Sequence, residues 1–297
     1  MESVVRAVSM DEEAHHDAMV AKVASAFVLG LSALTCSCVP FCLIRKCSSS
    51  STGKISTTAQ KTMDMLLRFG GGILIATTFL HLLPEVREGT EELVETHAFP
   101  TWPVAIPELV MCIGFFIMYF VEECAHICLM KGGNHGEGHS HAISGTPLRG
   151  ILIVIALSVH QIFEGLAVGL EEGDSKTVWM VTSAIAAHKL VIAVCVGAEM
   201  AFARTNTLTR AICIATFAIA TPLGIAIGIG LWSGNADNDV TTGCVSVILQ
   251  GLATGTLLYV VFFEVLSNTK EESNFLQFFA TAVGFVLMLI LVIFFKS

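Results

Sequence analysis

Charge is what this chain lacks. Lys and Arg number 16 and Asp and Glu 25, together 14% of 297 residues, where a soluble domain carries about 25%. Hydrophobic residues make up 54% and the mean hydropathy is +0.75, which excludes an ordinary water-soluble enzyme. A basic surplus is missing as well. The formal net charge is -9, so no basic surface offers itself to a nucleic-acid backbone. The first twenty residues are acidic and polar (Asp11, Glu12, Glu13 and Asp17 beside His15 and His16) and lack the basic and apolar regions of a cleaved signal peptide. The first crossing is therefore expected to act as an uncleaved signal. A disulfide framework is not expected either. Of ten cysteines, Cys36, Cys38, Cys42, Cys112, Cys124, Cys128, Cys195 and Cys213 fall within or at the ends of apolar runs, where they read as small buried hydrophobes.

What the chain has in abundance is apolar runs near the roughly 20 residues needed to cross a bilayer. Eight are predicted, at about 21–44, 64–86, 104–130, 149–171, 178–200, 210–232, 243–266 and 275–295. The expected fold is an all-α integral membrane protein of eight transmembrane helices. It divides into an N-terminal tail at 1–20, helices one to three at 21–130, a His-rich loop at 131–148, and helices four to eight at 149–297. An even number puts both termini on one side, and the distribution of Lys and Arg decides which. Arg45, Lys46, Lys54, Lys61, Lys131, Arg149, Arg204, Arg210 and Lys270 fall on one face; the other has Arg6, Lys22, Arg87, Lys176 and Lys296 among acids such as Glu88, Glu91, Glu92 and Glu95. Both termini, and the tail with them, are predicted extracytoplasmic, and the loop cytoplasmic.

Small-residue spacings recur: Gly165 and Gly169, Gly224 and Gly228, Gly251 and Gly255, and the run Gly70 to Gly72. These suit close helix contacts in lipid. Pro84, Pro107 and Pro222 lie in or near segments, where a missing backbone donor favours a kink. The loop Gly132–His141 carries His135, His139 and His141 among glycines. Such a tract suits binding of zinc-like cations, with a merely solvated loop as the alternative.

Ionisable residues inside the segments carry most information, because each costs at least about 2.5 kcal/mol at the bilayer centre unless compensated. His160 and Glu164 stand one helical turn apart on the same face of segment four. His160 lies near the midplane, and His188 in segment five falls at almost the same depth. Two imidazoles and a carboxylate there suit a borderline cation such as Zn²⁺, with an open position for water that permits release. The alternative is a hydrogen-bonded His–Glu pair that only stabilises the bundle.

The run His160-Gln161-Ile162-Phe163-Glu164-Gly165-Leu166-Ala167-Val168-Gly169 resembles the segment-four signature of the ZIP (Zrt- and Irt-like protein) family of divalent metal transporters, and Ala187-His188-Lys189 resembles its segment-five half. The resemblance spans the chain, including eight segments and the His-rich loop after segment three. It implies a ZIP-type bundle that moves Zn²⁺ into the cytosol, with His160, Glu164 and His188 as transport-site ligands. Members with a two-metal centre carry polar or acidic ligands beside the two motifs and a carboxylate one turn beyond the segment-five His. Here those positions are Gln161, Lys189 and Ile192, so a second metal is not expected. Lys189 would place an ammonium that stands in for a second cation, or else snorkel or pair elsewhere. The departure resembles the short-tailed branch related to animal plasma-membrane zinc importers.

Other polar residues can be ordered into a path. His81 and Glu85, one turn apart near the outer end of segment two, are candidate intake ligands, with a water-exposed mouth charge as the alternative for Glu85. Glu122, Glu123 and His126 in segment three, Glu199 in segment five and Glu264 in segment seven lie toward the cytoplasmic end, with Glu123, His126, Glu199 and Glu264 as candidate exit ligands. Gln250 and Ser158 could face the same cavity, with hydrogen bonds to neighbouring helices as the alternative. No resident cofactor is expected: Zn²⁺ is cargo, with Cd²⁺ a candidate second cargo. The expected partners are divalent cations, the lipid bilayer and a second copy in a homodimer, at the plasma membrane. Two rivals remain, a zinc-dependent intramembrane hydrolase and a metal-sensing receptor. No His-Glu-x-x-His metalloprotease motif is present.

Overall fold

A computed structural model describes residues 2–47, 57–97, 103–130, 147–171, 173–202, 205–234, 239–266 and 275–296. Among them there is no strand. Every backbone donor in a bilayer core must be satisfied within the chain, and the helix does this locally. The helices are α1 (Glu2–Cys47), α2 (Thr57–Ala76), α3 (Leu83–Glu95), α4 (Ile106–Met130), α5 (Pro147–Leu170), α6 (Ser175–Phe202), α7 (Thr207–Gly234), α8 (Asp239–Tyr259) and α9 (Phe275–Lys296). A π-helical stretch, Thr77–Leu82, joins α2 to α3, and a second, Val260–Leu266, extends α8.

Among the described residues, seven helical stretches are long and apolar enough to cross a membrane: His15–Leu43, Asp64–Glu95, Ile153–Leu170, Ser175–Ala201, Thr207–Leu231, Thr241–Phe263 and Phe275–Phe294. The eighth expected crossing, α4, has 25 residues, about 37 Å at 1.5 Å each. It is as apolar as α5 and α7 but carries three acids, Glu108, Glu122 and Glu123. Two of these acids are engaged: Arg87 donates to Glu108, and the Tyr259 hydroxyl donates to Glu122.

Three details are added to the sequence reading. The acidic leader is helical from Glu2, in one helix with the first crossing. The second crossing runs on through the π-helical stretch to Glu95, so His81 and Glu85 stand well inside it, not near its end. Lys22, counted among the charges of a loop face, is fully buried. Among the cysteines, Cys195 and Cys213 are buried, while Cys38, Cys42 and Cys112 are exposed on helix surfaces that the bilayer would cover. Pro107 falls at the start of α4, where a missing donor costs nothing, whereas Pro84 lies just after the π-helical stretch inside the second crossing and Pro222 lies inside α7.

The helices form two sets. In one, α5 packs most extensively on α7, and α1 on α6 and α7; in the other, α2 packs on α9 and α4 on α8. Glycine makes these contacts close. A methyl on Gly165 would stand 2.5 Å from the Thr221 carbonyl oxygen, and one on Gly224 would stand 2.5 Å from that of Ile162, so α5 and α7 meet backbone to backbone. The sets meet where α5 lies along α8 and α2 along α6. Asp174 starts α6, accepting hydrogen bonds from the Thr177 amide (2.9 Å) and hydroxyl (2.7 Å), and the amide bond holds its carboxyl below the usual carboxylate range.

Candidate metal centre

His160 and Glu164 on α5 and His188 on α6 are all buried, and each offers a ligand atom within 4.8 Å of the others. No other cluster of three such side chains forms among the described residues. His160 Nδ1 lies 2.9 Å from the Ala253 carbonyl oxygen and 3.2 Å from Thr256 Oγ1. A carbonyl can only accept, and the Thr256 hydroxyl spends its own proton on that same carbonyl at 2.8 Å, so Nδ1 carries the hydrogen. The lone pair is therefore at Nε2, which is buried and has no protein partner. A metal-binding imidazole is oriented in just this way by the bond at its other nitrogen.

His188 Nε2 donates to Glu164 Oε1 at 2.6 Å, leaving His188 Nδ1 and Glu164 Oε2 buried without partners. Unsatisfied buried polar atoms are rare because each costs about 1–3 kcal/mol. One such atom falls on each of the three side chains, a group that could hold a metal ion.

Gln161 and Lys189 sit together on the next face. Lys189 is fully buried; its ammonium donates to Gln161 Oε1 and Thr221 Oγ1 and lies 5.6 Å from the Phe217 ring centroid. Thr221 also donates to Gln161 Oε1 at 2.6 Å. Lys189 thus does not snorkel to the surface; it is tethered beside the triad, where it balances the charge of Glu164.

A cavity of about 30 Å³ reaches the triad, with room for one or two waters. Its lining includes His160 and Glu164, then Gln250 and Ala253 of α8, with His81 and Glu85 farther along. It also touches Ala167 and Val168 of α5 and Val181 and Ala184 of α6, so it extends toward the end of the bundle where α5 stops and α6 begins. His81 Nε2 and Glu85 Oε2 lie 3.8 Å apart on its wall. In the opposite direction the space is filled by an apolar cluster that includes Leu157, Ile192, Val196, Leu257 and Val260.

The candidate exit residues are not gathered at the triad. Glu123 is exposed and Glu199 half-buried, while Glu122 is bonded to Tyr259. The side chains of His126 and Glu264, and the whole of His135, His139 and His141, lie outside the described residues. Ser158 is buried with an unpartnered hydroxyl and is not part of the cavity lining. Sequence reasoning missed Ala253, Thr256 and Thr221. A backbone carbonyl leaves no trace in sequence, and a threonine in a transmembrane helix more often bonds its own preceding turn.

Comparison with known proteins gives the arrangement its context. The family model described as "ZIP Zinc transporter" matches residues 19–146 and 132–292. Zinc transporter ZIP3 of Bos taurus is 34% identical over 257 residues, covering 73% of this chain and 80% of that protein. Zinc transporter ZIP1 of Mus musculus is 28% identical over 295 residues, covering 90% and 89%. Zinc transporter ZIP2 of Homo sapiens is 28% identical over 254 residues, covering 73% and 81%. With the family model matching most of its length, the chain belongs to the ZIP zinc transporter family.

Proposed function

We propose that this protein carries Zn²⁺ across the membrane into the cytosol, using His160, Glu164 and His188 as its transport site. It is a transporter and not an enzyme, as its family is. The observation that carries the site assignment is the set of buried, unpartnered lone pairs at His160 Nε2, Glu164 Oε2 and His188 Nδ1, with His160 and Glu164 lining a cavity whose wall also holds His81 and Glu85.

Zn²⁺ meets His81 and Glu85 first, sheds water as it moves inward, and is held by the triad with a water in the remaining position. His188 ligates through Nδ1, or through Nε2 once its proton shifts to Nδ1 and Glu164 exchanges that hydrogen bond for the metal. Three protein ligands hold the ion without trapping it. Release follows when the set carrying the triad (α1, α5, α6, α7) moves against the set formed by α2, α3, α4, α8 and α9, opening the apolar plug on the far side. Gln250, on the second set, holds water on the incoming ion. Glu123, His126, Glu199 and Glu264 then pass it on, and His135, His139 and His141 of the loop receive it.

In this reading Gln161 and Lys189 occupy the place of a second metal, and one ion moves at a time. Both termini are extracytoplasmic, since Lys and Arg crowd the other face; burial of Lys22 removes one charge from the sparse side. The tail at 1–20, the helices at 21–130 and 149–297 and the cytoplasmic loop at 131–148 are the functional divisions. Cd²⁺ is a second cargo, and the protein works in the plasma membrane as a homodimer.

The test is ⁶⁵Zn²⁺ uptake into proteoliposomes, comparing wild type with His160→Ala and His188→Ala at matched incorporation. Saturable uptake lost in both variants is the expected result. Tight binding without net movement would sink the transport reading in favour of a hydrolase or receptor.

A further inference from the structure

Lys22 has no part in the metal path, yet it is fully buried, as is Ser25 one turn along α1. Lys22 Nζ donates to the Gly169 carbonyl oxygen at 3.0 Å. Gly169 is in the last turn of α5, where carbonyls have no partner within the helix and the helix dipole is negative. An ammonium is therefore suited to this spot on two counts. Ser25 Oγ lies 2.7 Å from Thr182 Oγ1 on α6. Thr182 spends its own proton on the Val178 carbonyl at 2.7 Å, so Ser25 is the donor. Through two adjacent turns, α1 grips both α5 and α6.

Those are the helices that divide the triad, His160 and Glu164 on one and His188 on the other. They touch each other sparingly, α5 resting mainly on α7 and α6 on α1. Gly169 lies five residues beyond Glu164, and Thr182 six residues before His188. At 1.5 Å per residue both ties stand about 8–9 Å from the triad, toward the same end of the bundle.

We propose that Lys22, with Ser25 as a second tie, is a positioning residue for the metal group: it fixes the spacing of α5 and α6, and through it the Glu164–His188 separation that decides which cation fits. A polar tie does this better than an apolar contact. Leucine side chains can slide past one another at little cost, whereas moving a buried ammonium off its carbonyl breaks a charge-assisted hydrogen bond in low dielectric. The inference rests on the triad being the transport site.

Lys22→Met keeps the length of the side chain and removes its charge and donor; Thr182→Val removes one hydroxyl. Uptake of ⁶⁵Zn²⁺ and ¹⁰⁹Cd²⁺ is measured in proteoliposomes at matched incorporation. For Lys22→Met the KM for Zn²⁺ should rise about tenfold, the usual scale for losing a group that orients metal ligands. A loosened site should tolerate the larger Cd²⁺ better, so the preference for Zn²⁺ should fall by roughly threefold or more while the maximal rate stays within about twofold. Thr182→Val should move the ratio the same way by less. An unchanged Zn²⁺/Cd²⁺ KM ratio, or an equal fall in maximal rate for both ions, would overturn the proposal. If Lys22→Met does not insert, Thr182→Val decides it by the same ratio. His160→Ala serves as the control: if it transports normally, the transport-site reading falls, and this proposal with it, whereas loss of uptake there with an unmoved ratio in Lys22→Met overturns the proposal alone.

Discussion

His188 Nε2 stands 2.6 Å from Glu164 Oε1, so the carboxylate that would hold the cation already joins the two helices that carry the site. In the proposed reading Glu164 has two duties, a structural bond and a ligand charge, and substitutions can separate them. Glu164→Gln can still accept from His188 but has no charge. Its uptake should fall by at least about a hundredfold, beyond the 10–100-fold typical of groups that only orient ligands, while its melting temperature in detergent stays near wild type. Glu164→Ala removes the acceptor as well and leaves the His188 Nε2 donor unsatisfied in the core, which costs about 1–3 kcal/mol, so it should melt markedly earlier. A Glu164→Gln protein that transports normally would remove Glu164 from the ligand set.

Lys189 is bound to Gln161 and Thr221 within the bundle, and in the proposed reading it fills what would be a second cation's place. Lys189→Glu should exchange that fixed positive charge for a ligand and let a second divalent ion bind beside the first. Anomalous diffraction at the zinc edge should show one buried ion per chain in wild type and two in the variant. A single ion in both would mean that the ammonium is only a packing element.

The architecture was legible because its signals are physical necessities. An apolar run near twenty residues has few destinations other than a bilayer, and an ionisable side chain within such a run needs a reason to be there. His160, Glu164 and His188 could thus be paired by depth alone. The second crossing was read short because Arg87, Glu88, Glu91 and Glu92 look like a loop, whereas the helix runs through them to Glu95, with Arg87 held by Glu108 on α4. Lys22 looked like a loop charge for the same reason, and its carbonyl partner lies 147 residues away. The orientation of His160 depends on a backbone oxygen of α8, and no pattern of side chains records that.

Acid should weaken transport, and the cause can be separated from unfolding. A proton and Zn²⁺ compete for the lone pair at His160 Nε2. At fixed free Zn²⁺, uptake should fall from pH 7.5 to 5.5, mainly as a higher KM. The α6 cap should survive this range: because the Asp174 carboxyl is held below its ordinary range, its contribution is fully present above the unfolded value near 3.8 and is lost only as pH falls through the lower folded value. An unchanged circular dichroism spectrum over the same range would place the loss at the site. A maximum of uptake at low pH would contradict the competition and point to proton-driven transport.

Movement between the helix sets can be tested at one glycine. Within the sets, glycines bring backbones together: a methyl on Gly72 of α2 would collide with the Thr281 carbonyl of α9, one on Gly255 of α8 with the Met111 carbonyl of α4, and one on Gly197 of α6 with the Ser37 carbonyl of α1. Such contacts resist sliding, because carbonyls one turn apart would have to pass each other with no side chain to yield. Gly70 of α2 differs. It faces the other set, and a methyl there would lie 2.6 Å from Cys195 Sγ of α6, a flexible side-chain atom. Gly70→Cys therefore places a thiol within disulfide reach of a native one across the boundary that must shift in transport. Oxidation should abolish ⁶⁵Zn²⁺ uptake, reduction should restore it, and adding Cys195→Ser should remove the effect of oxidant. Full uptake by quantitatively cross-linked protein would mean that α2 and α6 do not move apart, and the boundary of motion would have to be sought between α5 and α8 alone.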